Sequence, residues 1–322
     1  MSDIVERSAC GKVILCGEHA VVYGRPAVAL PLPTLRARAC IEPSDNAFRI
    51  VAPDVQRVVS IDDTTSYPDD PLARIAQLTL RHLNQGWPCA TLTVTSDIPV
   101  GANLGSGAAV SVASTRAIAA FFGHELAPAD ASALAFEVEK LHHGTPSGID
   151  NTVIAFEQPV IYSKGNSSVT LHIADGFYAP PHPTLSLRGR GLLLIADTGL
   201  ATPPRIPVGD VRAAWQRDPA HYETLFDDIA VVVHRARVAL EAGDWPALGA
   251  AMNDNHALLQ TLGVSSAELD ALCIAARAAG ALGAKMSGGG RGGNMIALAR
   301  DAAHAVVLKA ALSDAGATRV MG

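Results

Sequence analysis

The sequence has no lysine- or arginine-rich run, and charged residues make up only 17% of its 322 residues. With a net charge of -6 and acids and bases mixed along the chain, it offers no footprint for nucleic acid or a membrane surface, so an anionic ligand needs a local site. No apolar run free of glycine reaches the ~20 residues of a bilayer span. The start, Met1 to Arg7, is polar and acidic and does not read as a signal peptide. Cysteine is sparse: Cys10, Cys16, Cys40, Cys89 and Cys273, odd in number, widely spaced and without a CxxC pair. That pattern argues for reduced thiols in a cytoplasmic protein, packed as small apolar groups, rather than a disulfide framework. Neither repeats nor low-complexity tracts occur. His142 and His143 have no second cluster at zinc-ligand spacing.

What is present is enough apolar residue, 49%, to fill one large domain or two ordinary ones. Residues 9–32 read as a β-hairpin punctuated by Tyr23-Gly-Arg-Pro26, and Thr91–Thr95 as a strand with Leu92 and Val94 on one face. A helix is predicted over 108–122. A second follows over 130–143, capped by Asp130, striped by Leu134, Val138 and Leu141, and ended by Gly144. The stretch 174–190, rich in proline, glycine and histidine, marks a boundary, giving domains 1–185 and 186–322. The second half reads as strand 192–196, helices 222–241, 246–261 and 266–279, strands 284–287 and 294–299, helix 301–314 and a last strand near 318–321. Mixed elements in two blocks fit a two-domain α+β or α/β enzyme.

Two glycine loops stand out. Pro99-Val-Gly-Ala-Asn-Leu-Gly-Ser-Gly-Ala-Ala109 joins a strand to a helix. Its glycines permit sharp turns, and the unpaired amides of a helix start suit polyphosphate oxygens. It is neither a Walker A motif nor GxGxxG. Lys285-Met-Ser-Gly-Gly-Gly-Arg-Gly-Gly-Asn294 packs five glycines into 288–293 and adds the fixed charge of Arg291. A loop so bare lets something approach the backbone closely. Between them lie Glu139, near a helix end, and Asp150, in a segment that Gly144, Pro146 and Gly148 hold as a compact loop. Paired carboxylates serve to bind Mg²⁺ and to accept a proton from an alcohol. Lys12, on the first strand, is the cation that would keep Asp150 ionised and steady a transferring phosphoryl group.

Together these segments resemble the GHMP kinase superfamily, and within it the mevalonate kinases. The resemblance rests on Gly11-Lys-Val-Ile-Leu-Cys-Gly-Glu-His-Ala-Val-Val-Tyr-Gly24, on Pro99–Ala109, on His143-Gly-Thr-Pro-Ser-Gly-Ile-Asp-Asn151 and on Lys285–Gly293, in an order that spans nearly the whole chain. It implies an N-terminal domain like domain 2 of ribosomal protein S5, a C-terminal ferredoxin-like domain, and an active site between them. It implies ATP and Mg²⁺ as cofactors and transfer of phosphate to the primary hydroxyl of mevalonate. Asp150 matches the catalytic aspartate, Lys12 its lysine, and Glu139 the magnesium-binding glutamate. Pro99, Gly101, Ala102, Asn103, Leu104, Gly105, Ser106, Gly107 and Ala108 match the loop around the ATP phosphates. His19, with Glu18 beside it, matches the mevalonate pocket. Asp197-Thr-Gly-Leu-Ala-Thr202 matches the segment with a substrate-side threonine, either Thr198 or Thr202. Gly289 and Arg291 complete the substrate side. The family often forms dimers, so a homodimer is an expectation from resemblance alone.

Two departures matter. Where the family loop reads GLGSSA, this chain has Gly107 in place of the second serine, a metal ligand. Ser106 or water is expected to fill that position, since Mg²⁺ keeps water ligands readily. Where the last loop reads GAGGGG, Gly289 and Arg291 alter it, and Arg291 either contacts phosphate or faces solvent. Other readings are another alcohol acceptor (phosphomevalonate, the mevalonate 3-hydroxyl, homoserine or a sugar) or a non-catalytic ATP sensor. Retention of Lys12, Asp150 and Glu139 argues against the sensor.

Overall fold

The computed structural model describes residues 4–61, 69–99, 101–143, 146–164, 169–170, 192–200, 202–203 and 205–322. The chain forms two compact units: Met1–Lys12, Pro31–Pro99 and Gly105–Glu157 make the first, and Val13–Leu30, Val100–Leu104 and Gln158–Gly322 the second. The boundary expected at 185/186 lies outside the described residues.

The first unit is built on strands β1 (Val5–Cys16), β2 (Ala27–Pro43), β3 (Arg49–Ala52), β4 (Arg57–Ser60) and β5 (Ala90–Ser96). Their order is β4-β3-β5-β2, with β1 also paired to β2. The alternation of β5 decides which face is buried: Leu92 and Val94 point inward, opposite Ile41 and Ala39 of β2. Among the described residues, four helices belong to this unit: α1 (Pro71–His82), α2 (Ser106–Phe121), α3 (Pro128–His143) and α4 (Ile149–Phe156). Asp70 caps α1 by accepting from the amides of Leu72 and Ala73, and Pro71 fills the position where a missing N–H costs nothing. Helix α2 buries Ala108, Ala109, Val112, Ala113, Ala117 and Ile118, and the alanines among them let α1, α3 and α4 all pack on it.

The second unit holds β6 (Val160–Tyr162) and β7 (Val169–Thr170), with β6 paired to Ala27–Ala29 of β2. Its other sheet contains β8 (Leu192–Asp197), β9 (Gly283–Ser287), β10 (Asn294–Ala299) and β11 (Arg319–Met321) in the antiparallel order β11-β8-β10-β9. Every residue of β10 is buried, as suits a central strand. Helices α5 (Arg205–Arg217), α6 (Pro219–Ala242), α7 (Trp245–Thr261), α8 (Ala267–Ala278) and α9 (Ala302–Asp314) complete it. Asp218, Asp244, Ser266 and Asp301 each cap a helix with a side-chain oxygen. Helices α7 and α8 lie on β9, and α9 lies on β8 and β10. The architecture is the two-domain α+β class that the sequence implied.

Several local expectations need correction. Helix α3 begins at Pro128, so Asp130 sits within its first turn, where a carboxylate favours the helix dipole, rather than at the cap. Its buried face runs through Ala131, Ala135 and Val138, and Leu141 is exposed. Asp150 lies in the first turn of α4, not in a loop. Gly144 falls outside the described residues. Cys10, Cys16 and Cys273 are buried, with thiols pushed up to about 12 by desolvation, but Cys89 is exposed.

Candidate active site

In the first unit, β1 carries Lys12 inward until its side chain is 4% exposed, and its ammonium lies 3.0 Å from Oδ1 of Asp150. A lysine this buried needs an anion, and Asp150 supplies it. Helix α4 aims that carboxylate. Gly148 takes φ 95° and turns the chain into the helix, placing Asp150 in the positive first turn. The next residue pins the helix: Asn151 Nδ2 donates to Ser132 Oγ at 2.8 Å and to the Ser132 carbonyl at 3.2 Å, on α3. Thr152 Oγ1 donates to the Gly148 carbonyl at 2.7 Å. Sequence reasoning missed Asn151 and Ser132; the asparagine directly after the acid was the available signal.

Gly105 stands at the start of α2 with φ 76°, and no side chain among the described residues caps that helix. The amides of Ser106, Gly107 and Ala108 therefore form a ready anion cradle. Gly105 also lies directly against Lys12. A Cβ there would sit 3.0 Å from Lys12 Cγ and 2.7 Å from Ile154 Cδ1. The loop glycine and the Lys12–Asp150 ion pair are thus packed as one piece. Glu139, on α3, is 4% exposed. Among the described residues no three His, Cys, Asp or Glu side chains gather as a metal cage. The oxygen donors Glu139 and Ser106 fit Mg²⁺, which takes few protein ligands and otherwise keeps water and phosphate oxygens.

In the second unit, Ala102 and Leu104 are buried, and Asn294 Nδ2 donates to the Ala102 carbonyl. The glycine loop 288–293 is stitched down. Thr198 Oγ1 donates to the Gly293 carbonyl at 3.0 Å, and Thr202 Oγ1 to the Arg291 carbonyl at 2.6 Å. A Cβ on Gly290 would meet the Val264 carbonyl at 2.0 Å, so part of the loop's bareness is used by the protein's own backbone. The guanidinium of Arg291 is bound to Asp210, a partner neither sequence reading of this residue contained. His19 is 5% exposed, with its Nε2 3.0 Å from the Gly289 carbonyl. A carbonyl only accepts, so Nε2 carries the proton and Nδ1 the lone pair. Burial lowers the His19 pKa to about 4 and keeps the ring neutral. Glu18 is 1% exposed and ion-paired to Lys285, which the sequence reading used only as the start of a motif.

Comparison with known proteins identifies the family. Residues 71–158 match the GHMP kinases N-terminal domain and residues 236–318 the GHMP kinases C-terminal domain. The mevalonate kinase of Thermococcus sibiricus is 35% identical over 311 residues, covering 91% of this chain and 88% of that protein. The mevalonate kinase of Pyrococcus furiosus is 34% identical, with 91% and 88% covered. Among solved structures, L. major mevalonate kinase in complex with R-mevalonate has a TM-score of 0.79 at 29% identity, covering 98% of this chain and 94% of that one. The Methanococcus jannaschii mevalonate kinase, 22% identical with 100% and 97% covered, shares the fold with a TM-score of 0.81. The chain belongs to the GHMP kinase family.

Proposed function

We propose that this chain transfers the γ-phosphate of ATP to the primary hydroxyl of mevalonate, forming 5-phosphomevalonate for isoprenoid biosynthesis in the cytoplasm. The observation that carries the reading is the pairing of buried Lys12 with the partly exposed Asp150 carboxylate at 3.0 Å, in a chain 35% identical to named mevalonate kinases. Phosphoryl transfer needs positioning and charge neutralisation above all. Asp150 accepts a hydrogen bond from the substrate hydroxyl, orients its oxygen and takes its proton as the bond to phosphorus forms. Lys12 keeps that carboxylate ionised and offsets negative charge on the reacting oxygens. The amides of Ser106, Gly107 and Ala108 hold phosphate oxygens, with Pro99, Gly101, Ala102, Asn103 and Leu104 shaping the loop ahead of them. Glu139 and Ser106 would hold Mg²⁺, which would supply charge neutralisation to the phosphates.

His19 orients mevalonate through Nδ1, the nitrogen not engaged with Gly289. Thr198, Thr202, Gly289 and Arg291 serve the substrate side by fixing the loop that holds His19, and Glu18 serves it from beside that histidine. ADP release measured with a panel of alcohols tests the reading. Mevalonate should give the highest kcat/KM, and a higher value for phosphomevalonate, homoserine or a sugar would reassign the acceptor. Size-exclusion chromatography reads the homodimer that the family resemblance implies.

A further inference from the structure

Behind His19, the second unit contains a buried polar network of which the mechanism above uses only Glu18. Lys285 on β9 is 0% exposed and pairs with Glu18, which follows β1. Taking either charge out of water alone is costly, so each is kept there by the other. Asn255 of α7, also fully buried, joins them. Its Nδ2 donates to Glu18 Oε2 at 3.2 Å, and its Oδ1 accepts from the Gly17 amide at 3.2 Å. Its neighbour His256 accepts the Met286 amide at Nδ1, 3.3 Å away, while Lys285 also donates to the Met286 carbonyl. One helix thereby grips both β9 and the segment leaving β1.

That segment is strained. His19 has φ 62° and ψ -52°, a backbone region that residues with a Cβ rarely occupy. Such a conformation persists only where its surroundings over-determine it. The surroundings here are Gly17 and Glu18, both held by the network, on one side, and the Gly289 carbonyl on the ring. Replacing a buried ion pair by apolar residues of similar volume is often neutral or stabilising, so stability alone is weak ground for keeping Lys285 and Glu18 charged and buried.

We propose that Lys285 and Asn255 are positioning residues: acting through Glu18 and Gly17, they hold the strained backbone that presents His19 to the hydroxy-acid substrate in a single orientation and tautomer. The proposal rests on the reading that His19 meets mevalonate. Small displacements of a group that orients substrate are expensive in rate or affinity, and this network removes the freedom that would allow them.

The test uses the full chain carrying K285M together with E18Q, which removes both charges without leaving either unpaired. KM for mevalonate should rise about ten-fold, the effect of loosening one hydrogen bond to substrate, with KM for ATP nearly unchanged. In a His19→Ala background the same pair of changes should add nothing. An unchanged KM for mevalonate, or the same increment in the His19→Ala background, overturns the proposal. Asn255→Ser keeps the ion pair while freeing the Gly17 amide, and decides the matter if the double variant does not fold; it should raise the mevalonate KM in the same direction. The imidazole ¹⁵N shifts of His19 give a readout apart from turnover. The wild-type ring should show one fixed Nε2–H tautomer, and the double variant an average of two. If the wild type turns over no mevalonate, the functional reading fails, and the ¹⁵N signature still decides whether the network fixes the ring.

Discussion

The Lys12 ammonium lies 3.0 Å from the Asp150 carboxylate, joining a strand to the first turn of a helix 138 positions later in the chain. On the proposed function, proton acceptance and charge neutralisation belong to one pair. Lys12→Met should lower kcat by about 10²-fold, and adding Asp150→Asn should cost much less than the product of the two single losses. Steady-state kinetics of the four proteins checks this, and multiplicative losses would mean that the groups act separately.

Gly105 makes a second, sharper claim. Its φ of 76° and the 3.0 Å approach of a Cβ to Lys12 Cγ leave no room for a side chain. Gly105→Ala should cost about 1–3 kcal/mol of stability, the scale of local backbone strain, and should lower kcat by displacing Lys12. Urea unfolding at an unchanged m-value, together with kinetics, reads both effects.

Gly107 lies exposed in the first turn of α2, where the family places a second serine. Gly107→Ser restores an oxygen donor beside Ser106. The Mg²⁺ concentration for half-maximal rate should fall, since one protein oxygen replaces a water. Titrating the rate with Mg²⁺ at saturating ATP and mevalonate measures it; an unchanged midpoint would show that this position does not reach the metal.

Two buried histidines make stability fall on the acid side. Burial lowers both His19 and His256 from 6.5 to about 4, with Arg291 and Lys285 adding to the effect at His19 and Arg277 and Lys285 at His256, against Asp270. Between these values the unfolded rings bind protons that the folded rings refuse. Stability is therefore full above about pH 6.5 and falls as pH drops toward 4, by up to about 1.4 kcal/mol per pH unit for each ring. Urea denaturation at pH 7, 6 and 5 should show this slope, and His256→Gln should make it shallower.

Much of this was legible in the sequence for identifiable reasons. Strands β5 and β10 carry clear alternation or a continuous apolar run, and α6 to α9 show long apolar periodicity with Asp or Ser caps. Helix α4 was not visible because eight residues after Gly148 read equally well as an apolar turn, and α5 was hidden by Pro207 and Gly209 within it. Lys12 and Asp150 were legible as a pair because a lysine in an apolar strand demands an anion. The Lys285–Glu18–Asn255 network was not, because its partners lie 267 and 237 positions apart and no local pattern links them. The glycines of 288–293 signalled close approach correctly without saying that Val264 and Leu200 are what approaches.

The most direct test compares kcat for ADP release with mevalonate between the wild-type chain and Asp150→Asn, at saturating ATP and Mg²⁺. Robust mevalonate-dependent turnover by the wild type, reduced by about 10²-fold or more in the variant with its fold intact, is the expected result. A variant that keeps near-normal kcat would contradict the assignment of Asp150 as the group that takes the hydroxyl proton.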